Sequence, residues 1–145
     1  MKKLPIIYHP HYDIPVPTIH SFVGNKFSDL FTYLQDHYFQ NLDVLTPSSA
    51  TFENLKQSHE IDYINKVTND QLTKDHLRLI NLPWSERLRE RSFLETEGTF
   101  LTAKKALETG LACHVGGGTH HAHFNYGYGF CVFNDLAYTA INLLK

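Results

Sequence analysis

Cysteine is too scarce in this chain to build a framework. The two present, Cys113 and Cys131, form neither a C-x-x-C pair nor a disulfide-rich pattern. That excludes a small disulfide-stapled scaffold and fits a reducing, cytoplasmic setting. Charge of one sign is also missing in excess, with 13 basic against 15 acidic residues and a formal net charge of -2. No Lys/Arg cluster runs along any segment, so direct nucleic-acid binding has no electrostatic footprint. No apolar run approaches the ~18 residues that a membrane helix requires, so no membrane partner is expected. The opening "MKKLPIIYHPHYD" has two lysines, but Pro5, His9 and Pro10 break any leader-like apolar core. Repeats and low-complexity segments are absent as well.

What is there reads as one globular domain. Hydrophobic residues make up 42% and charged residues 19% of 145 positions, enough to bury a core. "LPIIYH" and "LDVLTP" predict two short strands, separated by a proline-rich loop and a helix over Lys26–Gln40. On that helix Phe27, Leu30, Phe31, Leu34 and Tyr38 share a face. "ATFENL" predicts a short helix and "HEIDYINKVTND" another, with Ile61, Ile64 and Val67 spaced by three. "NLPWS" breaks the chain. Ser92 and Glu95 have capping-box spacing before a helix that reaches about Leu107 and stops at Gly110. "LACHV" predicts a buried strand, apolar on both faces, that runs into a loop. Asn134 or Asp135 can cap a last helix through Ala137, Ala140, Ile141 and Leu144. Alternating strands and helices predict an α/β fold, a parallel sheet flanked by helices.

The densest chemistry lies in "HVGGGTHHAHFNYGYGFCVFND". Three glycines after a strand permit a sharp turn and a close approach. Phosphate binding fits poorly, because "GGGTHH" lacks the P-loop lysine and the G-x-G-x-x-G spacing. Adjacent His120 and His121 suit metal ligation or proton transfer, since imidazole titrates near neutrality. Neighbours on an extended segment point apart, so both reach one site only if the loop bends. Two unrelated polar loop residues remain the plainer alternative. For Gly129 and Phe130 the plain alternatives are a turn requirement and core packing.

The run "GGGTHHAH" followed by "GYGFCVFND" resembles the signature of the histone deacetylase family of zinc-dependent amidohydrolases, in its bacterial form. "IIYHPHYD", "SHEIDYI" and "LPWSERLRERSFLETEGTFLTAKKALETGLA" are similar to further family segments, in family order, so the resemblance covers essentially the whole chain. It implies the N-terminal part of an arginase/deacetylase-like domain acting on acetylated lysine or an acetylated small amine. It implies that His121 is the general base, which also protonates the leaving amine, and that His120 gives electrostatic support. Gly129 and Phe130 would wall the acyl-lysine channel. Asn134 and Asp135 match a pair read as helix capping, and Cys131 is read as a packing residue. His59 is read as closing a helix start. None of His59, His114 and His123 is assigned a catalytic role.

The family's zinc is held by an Asp-x-His pair and a later aspartate. No Asp-x-His occurs in this sequence; "QDHY" and "KDHL" set the two residues side by side instead. The expectation is therefore that this chain carries no metal ligand, binds no zinc alone, and represents the N-terminal half of a deacetylase domain. That half would be inactive by itself and would need a complementing C-terminal chain, or would self-associate. Ser21 stands where the resemblance implies an arginine lining an interior cavity. Two readings from other classes stay open: a non-catalytic interaction or regulatory module, and a small metal-binding protein using His114, His120, His121 and His123.

Overall fold

The computed structural model describes residues 3–145; Met1 and Lys2, which begin the stretch weighed as a leader, lie outside them. The described residues form a three-stranded parallel sheet with helices packed around it. Strand β1 (Leu4–Ile7) is central, β2 (Leu42–Leu45) lies on one side and β3 (Cys113–His114) on the other. Leu4 pairs with Leu42, and Ile6 and Ile7 pair with Cys113 and His114. Ile6 and Ile7 are buried because β1 has a neighbour on each side and helices over it.

"LACHV" is shorter and less buried than predicted. Only two of its residues pair, and Cys113 is exposed. Among the described residues β3 has β1 on one side and nothing on the other, so its outer edge keeps unpaired backbone groups.

The helices follow local signals, with corrections. Helix α1 (Lys26–Tyr38) presents a narrower face than expected. Phe27 is buried and Phe31 stacks on Tyr8 with ring centroids 3.8 Å apart, but Leu30 and Tyr38 are exposed. Helix α2 (Phe52–Leu55) is capped by Thr51. In α3 (Ile61–Thr68) Tyr63, Ile64 and Val67 face the core and Ile61 faces out. Helix α4 (Lys74–Ile80) was not anticipated; its seven residues open on polar "KDH", and its capping box pairs Thr73 with His76.

Helix α5 runs over Glu86–Thr109 and begins before the predicted cap. Ser85 caps it, its Oγ accepting from the Leu88 N–H at 3.1 Å, directly after the "LPW" break. Ser92 and Glu95 are instead buried on its inner face, and Gly110 ends it as expected. Gly98 in mid-helix is a close-approach position: a Cβ there would collide with the Tyr12 hydroxyl and the His114 ring. Helix α6 (Asp135–Leu143) packs along α5, and Asn134 caps it by accepting from the Ala137 N–H at 2.9 Å.

Candidate active site

The loop after β3 turns back across the end of the sheet, where parallel α/β sheets place their sites. His120 and His121 both lie on it and are exposed, with ring centroids 4.2 Å apart and planes tilted by 44°. They border a cleft of about 320 Å³ with Gly116–Thr119, Gly129, Phe130, Phe22 and Arg91. The four predicted site residues therefore meet in one place. The His121 side chain lies against the backbone of Gly129, at ordinary contact distance from where a Cβ would stand.

Phe130 is held in an uncommon backbone state. Its φ is +70° and that of Gly129 is +53°, a left-handed region that a bulky residue rarely enters. The end of α4 imposes it: the Gly129 N–H donates to the Leu79 carbonyl at 3.0 Å and the Phe130 N–H to the Ile80 carbonyl at 2.8 Å. The Phe130 ring then meets the Phe22 ring edge-on at 5.5 Å. Strain of this kind persists only where surrounding contacts over-determine it, and it concentrates at functional sites.

His120 is oriented by backbone. Its Nδ1 lies 3.0 Å from the Gly118 carbonyl, which can only accept, so Nδ1 carries the proton and Nε2 keeps a lone pair. No hydrogen bond to the His121 ring occurs among the described residues. Asn134 brackets this residue from below, its amide donating to the carbonyls of His120 at 3.1 Å and Ala122 at 2.9 Å. The Asn134 N–H donates to His59 Nε2 at 3.0 Å, and His59 Nδ1 donates to the Phe124 carbonyl at 3.3 Å. His59 therefore does not close a helix start. It joins two loops from a buried position, and burial drives its pKa down to about 4.

Asp135 does more than begin a helix. It is fully buried, and its Oδ2 accepts from the Gly118 N–H at 2.7 Å and from the Thr99 hydroxyl at 2.6 Å. Because Thr99 spends its proton on Asp135, it accepts from His114 Nδ1 at 3.0 Å. His114 Nε2 in turn accepts from the Tyr12 hydroxyl at 2.7 Å. This chain fixes His114 as a neutral imidazole, in keeping with a pKa lowered to about 4 by burial. Both ring nitrogens of His114 are thus engaged away from the histidine pair. Gly117 seats the loop on this chain, since a Cβ there would strike Thr99, His114 and Asp135.

The residues present do not fit a metal centre. Among the described residues no three His, Cys, Asp or Glu side chains converge as a metal site would require. A catalytic zinc takes about three protein ligands, and His120 with His121 supply at most two. His123 stacks on Tyr126 at 4.3 Å, so the four-histidine metal protein is not assembled. Cys131 is buried and burial raises its thiol pKa, which suits packing rather than nucleophilic attack.

A profile of the histone deacetylase domain matches residues 20–145. The chain belongs to the histone deacetylase family. Its relatives include an uncharacterised protein of Picosynechococcus sp., 43% identical over 134 residues that cover 92% of this chain and 45% of that protein. Histone deacetylase 2 of Arabidopsis thaliana is 27% identical over 147 residues, covering 94% of this chain and 38% of the relative. The crystal structure of an HDAC homologue from Aquifex aeolicus superposes with a TM-score of 0.74 at 22% identity, over 99% of this chain and 41% of that one. The deacetylase fold is thereby established. The chain spans less than half the length of these relatives.

Sequence reasoning missed Phe22, Arg91 and Thr119, which line the same cleft, and the load on Asp135. The Asn-Asp pair was a legible signal, but its meaning depended on which loop lay above it. Ser21 does line the cleft.

Proposed function

We propose that these residues form the proton-transfer and acyl-channel part of a zinc-dependent deacetylase domain, acting on acetylated lysine or an acetylated small amine. The observation that carries this reading is the pair of imidazoles, 4.2 Å apart, opening on a cleft walled by Gly129 and Phe130. His121, whose ring has no hydrogen-bond partner among the described residues, takes a proton from the attacking water and returns it to the departing amine. His120, its Nδ1 proton held by Gly118, lines the same cleft and supports the developing charge. The aromatic face of Phe130 and the side-chain-free wall at Gly129 suit a four-methylene stem ending in an amide.

Zinc, where bound in such a domain, would supply Lewis-acid activation, and the described residues would not provide its ligand set. On this reading the chain is the N-terminal portion of the domain, is inactive alone, and works in the cytoplasm with a complementing segment. No helix among the described residues is long and apolar enough to cross a membrane.

The test is complementation. The chain is assayed on an acetyl-lysine peptide and on an acetylated polyamine, alone and with a C-terminal deacetylase segment bearing the Asp-x-His motif, while bound zinc is measured. Zinc uptake and turnover only in the mixture are expected. Turnover by the chain alone, or a stable complex that takes up zinc but never hydrolyses either amide, overturns the proposal; the latter favours an interaction module.

A further inference from the structure

Helix α4 fixes the turn that carries Gly129 and Phe130, and a titratable side chain fixes the start of α4. Of its seven residues only Ile80 is buried, so packing secures little of the rest. A helix this short is marginal by itself and depends on how its ends are tied. At the C-terminal end Asn81 stops it in the left-handed state, with φ at 57°. The carbonyls of Leu79 and Ile80 there accept from the Gly129 and Phe130 N–H groups at 3.0 and 2.8 Å. At the N-terminal end the tie is the capping box. Thr73 Oγ1 accepts from the His76 N–H at 3.3 Å, and His76 Nδ1 accepts from the Thr73 N–H at 3.1 Å.

A capping box ordinarily closes on Glu or Gln, whose side-chain oxygen remains an acceptor; imidazole is the side chain that changes charge near neutrality. A backbone N–H can only donate, so Nδ1 is unprotonated here and the closed box requires a neutral ring. A protonated ring would aim an N–H at the Thr73 N–H. It would also set a positive charge among the free N–H groups of the first turn, where the backbone favours anions. The surroundings offer that charge little relief. Tyr63 of α3 packs against the ring with centroids 6.2 Å apart, and its hydroxyl is given to the Val132 carbonyl at 2.8 Å. The charges of α3, Asp62 and Lys66, pair with each other. On α4 itself Asp75 pairs with Arg78 at 3.4 Å, and Lys74 adds a second cation at the helix start. The turn beyond Ile80 brings Tyr128 and Cys131 but no charged side chain.

We propose that His76 is a pH-sensitive positioning residue for Gly129 and Phe130. While neutral it closes the cap, and α4 keeps both residues in their left-handed state; once protonated it frees the start of α4 and slackens the turn. A φ of +70° at Phe130 persists only while neighbouring contacts impose it, and the contacts that do so come from the last turn of this short helix. The cleft wall is therefore firm at neutral pH and yields on acidification. Its consequence for an acyl-lysine stem rests on the proposed deacetylase reading; the link from His76 to the turn does not.

The 145-residue chain, His76→Gln and His76→Ala are compared by hydrogen–deuterium exchange with mass spectrometry. Labelling is done at about pH 7.5 and about pH 5.5, on either side of neutral imidazole titration, with times scaled to the intrinsic exchange rate at each pH. Peptides over α4 and over Tyr128–Cys131 are read. In the parent, acidification should lower the protection of both by about two- to tenfold, the range expected for a lost cap. His76→Gln keeps an acceptor that cannot titrate, so it should lose clearly less than the parent in both peptides. Every other histidine is common to the three chains, and its contribution cancels in that comparison. His76→Ala, which lacks the acceptor, should already match the loosened state at about pH 7.5. The proposal is overturned if His76→Gln loosens on acidification as much as the parent, or if His76→Ala is as protected as the parent at the higher pH. It is equally overturned if α4 loosens while Tyr128–Cys131 does not. Since no turnover is measured, a failed complementation assay leaves this result standing, and a failed exchange experiment leaves the deacetylase reading standing.

Discussion

Replacing Asp135 by alanine should loosen the histidine loop from below. The carboxylate accepts two short hydrogen bonds, from the Gly118 N–H at 2.7 Å and the Thr99 hydroxyl at 2.6 Å, in a fully buried position. Bonds to a charged acceptor contribute about 1.5–3 kcal/mol each. Thr99 has a fallback in the Glu95 carbonyl at 3.3 Å, whereas the Gly118 N–H has none among the described residues. The expected cost is therefore about 3–5 kcal/mol, a large share of the roughly 5–15 kcal/mol that holds a domain together. Asp135→Asn separates charge from shape. Its amide oxygen has two lone pairs and can accept from both donors, and Oδ1, which the amide nitrogen would replace, already lacks a partner. That variant should lose only about 1–2 kcal/mol. Urea unfolding of the three proteins reads these differences, and His120 ring resonances report the loop, because His120 Nδ1 is held by the Gly118 carbonyl. An alanine variant within about 1 kcal/mol of the parent, or an asparagine variant as unstable as alanine, would refute the reasoning.

Four further outcomes are expected. His59 and His114, ordinarily near 6.5, are held near 4 in the fold, so each takes up a proton on unfolding between those values. Glu95, ordinarily near 4.5 and raised to about 7, gives one up over nearly the same range. The two uptakes exceed the one release, so stability should fall by about 1.4 kcal/mol per pH unit as pH drops from 6.5 toward 4.5, and a flat or opposite dependence in denaturant midpoints would count against it. Gly117→Ala should cost about 1–3 kcal/mol by driving a methyl into Thr99, His114 and Asp135, and a neutral effect on melting would contradict the packing described. In the complemented enzyme, His121→Ala should lower kcat about 10²–10⁴-fold with zinc content unchanged, whereas loss of zinc would make His121 a ligand. Sedimentation should show self-association or rescue by a complementing segment, given the open β3 edge and the exposed Leu136, Leu143 and Leu144; a monodisperse, high-melting monomer would refute this.

The amino-acid sequence alone determined the local chemistry of this protein. Its alternation of apolar runs and helical periods implied a parallel α/β sheet, and its Gly-Gly-Gly-Thr-His-His run implied a histidine pair on a bent loop. The Asn134 cap and the Gly110 stop were legible because such signals act within a few residues. Helix α4 was not legible, being short and polar at its start, and its role in forcing Phe130 into a left-handed state joins residues some fifty positions apart. The assignment of Ser92 and Glu95 to a cap failed for a related reason: spacing cannot tell a helix start from a buried turn when Ser85 offers a cap one loop earlier. Tertiary structure alone decided which acid holds the loop and which histidine is buried neutral. Asp135, Thr99, His114 and Tyr12 form one hydrogen-bonded chain only because α5, the turn that follows β1, β3 and α6 meet beneath the glycines. Arg91 faces the cleft for the same reason. A side chain's partners depend on which elements pack against it, and that packing is a property of the whole chain rather than of any stretch within it.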